Sequence, residues 1–285
     1  MIVPFLLFSI LMGCNNSNQE TITKVFQLPK SLDESSAVEI TSKSDLIWTL
    51  QDSGNEAEIY ALDNSGNIKN TIAISNVKNN DWEDLTSDED GNLYIGDFGN
   101  NDNDRKNLSI YKINAADLGK KEASASQTIS FYYPEQSEFP PKKSNRVFDS
   151  ESFFYFNNNF YIFTKNRSSK FDGTTQLYRV PNKPGNHAAI LLGDFKTCGV
   201  YKRCAVTSAD ISPDGKKAVI LTADKVFVFD DFKDDNFLSG KSTTIELNHF
   251  TQKEGICFKD DNTLFITDEK DKKTGGNLYQ LRLKN

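Results

Sequence analysis

Histidine is nearly missing from this chain: His187 and His249 are the only two in 285 residues. Neither stands beside a plausible nucleophile, which argues against a Ser-His-Asp site. Both are also far from the one close cysteine pair, Cys198 and Cys204, so zinc-ligand spacing is poor. No Gly-x-Gly-x-x-Gly leads from a strand into a helix and no Walker pattern occurs, which removes the common phosphate-cradling loops. Beyond residue 12 no apolar run approaches the ~20 residues of a membrane helix. Positive charge is in deficit, 33 Lys+Arg against 40 Asp+Glu for a net charge of -7. That is the wrong sign for a nucleic-acid binder. Helical patterning is missing too: no segment keeps apolar residues at i, i+3, i+4 and i+7 over three turns.

What is present is aromatic and short-ranged. Phe (21) and Tyr (10) help bring hydrophobic content to 37%, enough for a sizeable core and too much for a wholly disordered chain. Short β-branched and aromatic runs alternate with Asp, Asn, Gly and Ser clusters, the pattern of strands and turns. The runs repeat. Each unit opens on a polar tag leading into a strand: residues 33–38, 81–85, 149–153, 207–211 and 252–256. A turn follows, Asp90-Gly91 or Pro213-Asp214-Gly215 for example, then an aromatic-rich strand such as Leu93-Tyr94-Ile95-Gly96 or Phe160-Tyr161-Ile162-Phe163. Third strands follow at 58–62, 108–113, 177–180, 226–229 and 278–281, and weaker fourth strands at 71–74, 128–132, 189–192 and 243–247.

The last unit lacks a fourth strand, and the unassigned strand Thr23-Lys24-Val25-Phe26-Gln27-Leu28 precedes the first. Pairing the two closes a ring and leaves no open edge between first and last units. The expectation is an all-β fold, a five-bladed β-propeller of four-stranded blades, with residues 23–285 as one domain. Six blades is the alternative, since Lys120 to Arg146 has room for a degenerate unit.

The N-terminus carries an address. Residues 2–12 (IVPFLLFSILM) form an uncharged apolar stretch of export-signal length, ending in Leu11-Met12-Gly13-Cys14. That ending resembles the bacterial lipoprotein lipobox, in which the cysteine receives the lipid. Residues 1–13 are read as a lipoprotein signal peptide, Cys14 as the lipidation site and residues 14–22 as a polar tether. A cleaved secretory signal with an incidental Cys14 is the other reading. The expected location is the bacterial cell envelope, a monomer held to a membrane by acyl chains. In such an oxidising compartment Cys198 and Cys204 are placed to form a disulfide.

Propeller geometry brings the starts of the inner strands and the ends of the second strands to one mouth of the channel. The starts supply Glu34, Glu83, Asp84, Glu151, Asp210 and Glu254; the ends supply Asp52, Asp97, Lys165 and Asp268. Glu83 to Asp97 and Glu254 to Asp268 share a 14-residue spacing. The fourth unit departs, with Ala209 where an acid is expected and Thr222 or Ala223 opposite. Converging carboxylates need compensation. A hard cation such as Ca2+ held by Glu83, Asp97, Glu254 and Asp268 would supply it, as would protonation, or pairing with Lys165 and Arg146. Alternatively the acids brace one blade against the next by accepting from backbone amides. Trp48 and Trp82 read as core.

The motifs Glu-Ser-Ser-Ala-Val (34–38), Gln-Asp-Ser-Gly (51–54), Asp-Trp-Glu-Asp-Leu (81–85), Tyr-Ile-Gly-Asp-Phe-Gly-Asn-Asn (94–101) and Glu-Gly-Ile-Cys-Phe (254–258) span most of the mature chain. Together they resemble the SdiA-regulated propeller family and the related "esterase-like activity of phytase" propellers. That resemblance implies Ca2+ binding and hydrolysis of phosphoesters or carboxylesters. Two functions are compatible with this sequence. In one, Glu34, Asp52, Asp84, Arg146, Glu151, Lys165 and Asp210 bind a glycan, a small ester or an envelope protein at the channel mouth, with or without Ca2+. In the other, Ca2+ at the mouth assists hydrolysis of an ester.

Overall fold

The computed structural model describes residues 22–284. Cys14 and the signal and tether segments up to residue 21 lie outside the described residues. Five antiparallel four-stranded blades stand in a ring, a five-bladed β-propeller. Their inner strands are Glu39–Ile40, Trp82–Ser87, Asp149–Phe156, Ser208–Ile211 and Lys253–Asp260 for blades I to V. Each inner strand contacts the next around the ring, and blade V returns to blade I. The ring closes as the repeat demanded: Thr23–Gln27 pairs antiparallel with Asn277–Arg282, Thr23 opposite Gln280 and Gln27 opposite Asn277.

Period-2 patterning explains why blades stack. Successive side chains point to opposite faces of a strand, so a run of consecutive apolar residues feeds two neighbours at once. In blade II, Leu93 and Ile95 pack towards Trp48 and Leu50 of blade I, while Tyr94 packs towards Phe153 and Phe160 of blade III. In blade III, Phe153 faces blade II and Phe154 faces blade IV, where it meets Val206 and Phe227. Five apolar clusters result, one at each blade boundary. Trp48 and Trp82 are both buried in the I–II cluster. At roughly 1.5–3 kcal/mol per large side chain, these boundaries supply the main cohesion of the ring.

The stretch that left room for a sixth blade is spent otherwise. Gln127–Tyr132 is the fourth strand of blade II, and Glu122–Ala123 pairs in parallel with Ile68–Ile74 of blade I. Gly185–Ala188, from the blade III excursion, likewise pairs in parallel with the outer strand of blade II. These two short latches tie neighbouring blades at the rim. No helix among the described residues is long and apolar enough to cross a membrane.

Candidate functional site

Three inner strands carry a β-bulge at their first residues, between Trp82 and Asp84, Ser150 and Ser152, and Lys253 and Gly255. The extra residue is each time a glutamate: Glu83, Glu151 or Glu254. A bulge re-aims one side chain and leaves the ladder on either side intact. Here it brings blades II, III and V to one mouth, with Glu83 and Glu151 buried and Glu254 half-buried.

The electrostatics show that these acids share a space. Burial pushes Glu83 well above the usual carboxylate range, and the charges of Glu151, Asp81 and Asp149 add to it. Burial likewise lifts Glu151 to about 7, Lys165 and Arg167 opposing and Glu254 assisting. Glu254 is raised by burial, with Lys165 opposing and Glu269 assisting. Glu269 reaches about 7 and Asp52 about 6, each through burial first and then neighbouring carboxylates, Glu34 among them. Gly99 makes the crowding possible: a Cβ there would lie 2.1 Å from Glu83 Oε1 and 2.4 Å from Asp81 Oδ2.

Two cations answer this charge. Lys165 donates to Glu151 Oε2. Arg167 bridges Asp149 Oδ2 and Glu151 Oε1, 2.6 Å each, and donates to Tyr201 Oη at 2.8 Å. Burial works against the Lys165 ammonium, but Glu151 and Glu254 outweigh it and hold the group above its ordinary range.

Blade IV contributes no acid at this level. Thr207 precedes its inner strand, and Ala223 follows its second strand. The missing bulk opens a cleft of about 550 Å3 beside the mouth, lined by Lys165, Arg167, Tyr201, Thr207, Ala223, Phe250, Gln252, Lys253, Glu254 and Glu269 among others. The Thr207 hydroxyl is buried there without a hydrogen-bond partner. Lys253 is fully buried; its Nζ donates to Thr251 Oγ1 at 2.8 Å and to the His249 carbonyl at 3.1 Å. Burial lowers its pKa to about 8. Tyr201 stands on the short helix Tyr201–Cys204, which the Cys198–Cys204 disulfide pins with a Cα–Cα distance of 5.4 Å. Replacing both cysteines by serine should cost about 2 kcal/mol for so short a loop. Urea denaturation checks this, and retained stability would show that Thr197 Oγ1, donating to the Cys204 carbonyl at 2.7 Å, already holds the turn.

Several residues expected at the mouth stand elsewhere. The bulges make Trp82 the partner of Asp97 and Lys253 the partner of Asp268, so neither aspartate shares a face with its glutamate. Asp97 Oδ2 accepts from Tyr111 Oη at 3.0 Å, and Asp268 Oδ2 accepts from Tyr279 Oη at 2.9 Å. Both are braces inside their blades. The expected four-carboxylate Ca2+ set is therefore not assembled, and no group of three or more His, Cys, Asp or Glu among the described residues is disposed to hold a metal ion. Asp84 lies deeper, accepting from Ser208 Oγ at 3.0 Å and from the Phe153 amide at 3.4 Å, and ties blade II to blades IV and III. Asp210 lines the opposite end of the channel. Arg146 pairs with Asp102 on the adjoining loop, 2.7 Å. Glu34 stays at the rim, accepting from Asn55 Nδ2 at 2.7 Å, with Asp52 beside it.

Arg167, Lys253, Glu269, Asp81 and Tyr201 were not expected. Three of them had a signal: Arg167 follows Lys165 by two residues, Lys253 adjoins Glu254 within one opening tag, and Asp81 begins the tag that holds Glu83.

The fold and mouth define a class, a five-bladed propeller with a carboxylate-rich channel entrance. No family model and no curated protein matches the sequence. Among solved structures the chain is similar to the PQQ-bound aldose sugar dehydrogenase of Streptomyces coelicolor, with a TM-score of 0.55 and 8% identity over 93% of this chain and 98% of that one. It is also similar to XC5397 of Xanthomonas campestris, described as a gluconolactonase, with a TM-score of 0.49 and 10% identity over 92% and 89% of the two chains. At 8% identity the likeness to the first of these is one of fold alone.

Proposed function

We propose that this chain is an exported, lipid-tethered propeller that binds a hydroxyl-rich ligand, a glycan, in the cleft beside its acidic mouth. The observation that carries the reading is the gap at blade IV. It leaves a cavity of small-molecule size in which the buried Thr207 hydroxyl lacks a partner. Glu269, pushed up to about 7, can both donate and accept, which suits hydroxyl groups, and Phe250, 53% exposed, offers an apolar face on the wall. Of the motifs resembling the SdiA-regulated and phytase-like propellers, residues 254–258 bring Glu254 to the cleft wall, while residues 81–85 lie on the bulged inner strand of blade II and residues 51–54 at the rim of blade I. The residues present do not fit the expected Ca2+ site, since Asp97 and Asp268 are turned away from Glu83 and Glu254.

Hydrolysis is the second reading, favoured by one observation: Glu254 and Glu269 share the cleft with Lys253, whose pKa is lowered to about 8. Such a set could pass a proton to and from a neutral carboxylester. The surplus of carboxylates disfavours a phosphoester. Calorimetric titration with neutral, amino- and phospho-substituted oligosaccharides tests the binding reading. Neutral or amino sugars should bind, and Thr207→Val should weaken them about threefold to tenfold. A panel in which none binds, or binding indifferent to Thr207→Val, contradicts it; release of acid from a carboxylester favours hydrolysis.

A further inference from the structure

The far end of the channel holds a separate cavity of about 390 Å3, where the inner strands end. Between it and the acidic mouth lies a polar layer: Ser208 donates to Asp84 across the ring, and the Ile256 amide donates to Ser208 Oγ at 3.1 Å.

Two buried carboxyl groups belong to this lower cavity. Glu39 Oε1 accepts from Ser87 Oγ at 2.9 Å, and Asp210 Oδ2 accepts from the Phe258 amide at 2.6 Å. The Ile40 amide also serves Glu39 and the Ile211 amide also serves Asp210, but among the described residues no ion pair joins a cation to either carboxyl. Lys259 is the only basic residue of the lining, and its Nζ sits over the Phe265 ring, 5.1 Å from the centroid. Of the rim acids, Asp88 meets Lys112 and Asp214 meets Lys216, and Glu89 adds a further carboxyl at the rim. An independent sign of a missing ligand comes from Thr41. It is 3% exposed, lines this cavity, and its hydroxyl has no hydrogen-bond partner. Tyr155, Phe156 and Ile211 supply apolar wall.

We propose that this lower cavity binds a primary ammonium group carried on a short apolar stem. An ammonium has three N–H donors and no acceptor, which matches two carboxylates and a hydroxyl oxygen. The stem lies along the aromatic wall, where a ring face also attracts a cation. Burial and the charge of Asp210 together push Glu39 up, and burial pushes Asp210 to about 7, the condition of a carboxyl pair awaiting a counter-charge. A metal ion suits the cavity less well, since no three potential ligands are gathered there. The same group is presented by a free alkylamine or by a lysine side chain.

Calorimetry at pH 8 with butylammonium and with N-acetyl-lysine methylamide tests both sources, with 1-butanol and tetramethylammonium as controls. At least one primary amine should bind and the controls should not. Butylammonium alone points to a free amine, and tighter binding of the lysine compound to a protein side chain. Asp210→Asn keeps the acceptor for Phe258 and should weaken binding about tenfold. If that variant is unstable, Thr41→Val should weaken it about threefold. Amide shift changes on binding should centre on Thr41, Ser87 and Asp210. The proposal is overturned if neither amine binds, if butanol binds as well, if the substitutions leave affinity unchanged, or if the shifts fall at the upper mouth. None of these outcomes bears on the glycan reading of the other end.

Discussion

Replacing Arg167 by Met should lower the stability of the protein by about 3–5 kcal/mol, the cost of leaving buried carboxylates without their counter-charge. The guanidinium is the common partner of Asp149 and Glu151, whose side chains are 0% and 7% exposed. Lys165 remains beside Glu151, but it cannot span both acids in the planar, forked way of an arginine. Arg167→Lys should therefore recover only part of the loss. Adding Glu151→Gln to Arg167→Met should restore about half of it, because one of the stranded charges is removed. Urea denaturation reads the effect as a shifted midpoint with an unchanged slope. A loss below about 1 kcal/mol would mean that the mouth carboxyls are solvated rather than held against one another.

The pH dependence of stability should run opposite to that of a protein secured by salt bridges. Glu83, Glu151, Glu254 and Glu269 all have folded-state pKa values above the ordinary value, with Glu151 and Glu269 at about 7. The folded chain then binds more protons than the unfolded one between pH ~4.5 and ~7. Their contribution is fully present below that window and is lost as pH rises through it. A carboxyl moved from 4.5 to about 7, as at Glu151, corresponds to a loss on the order of 3 kcal/mol, shared among coupled neighbours. Asp88 and Asp235, held below the ordinary range, work in the other direction at more acidic pH. Glu83→Gln with Glu254→Gln should flatten the fall between pH 5 and 8 and raise stability at pH 8 by about 2 kcal/mol. Thermal unfolding across that range measures it. A double variant that unfolds instead would make the two glutamates braces.

The propeller was legible because its signal is redundant. Leu93-Tyr94-Ile95 and Phe160-Tyr161-Ile162-Phe163 announce strands buried on both faces, and the repeat names five of them. The parallel latches Glu122–Ala123 and Gly185–Ala188 were illegible: they are short, polar or glycine-bearing, and are specified by the neighbouring blade. The candidate site was legible in part. Glu83, Glu151 and Glu254 could be drawn from the opening tags, and the gap at blade IV from the departure of the fourth unit. A bulge, however, leaves no mark in composition, yet it shifts register by one residue and turns a partner to the other face. That is why Asp97 and Asp268, at the same spacing from their glutamates, are braces for Tyr111 and Tyr279. Asp210 was misplaced for a related reason. Blade IV has no bulge, so Ser208 holds the first channel level and Asp210 falls one level lower.

Carboxyl-carbon NMR titration of Glu83, Glu151 and Glu254 bears most directly on the crowding of acids at the mouth. All three should titrate above the ordinary glutamate range, Glu151 near 7; removing Glu151 should lower Glu83, and removing Glu254 should lower Glu151. Three independent transitions near ~4.3 would show carboxylates that are solvated and apart.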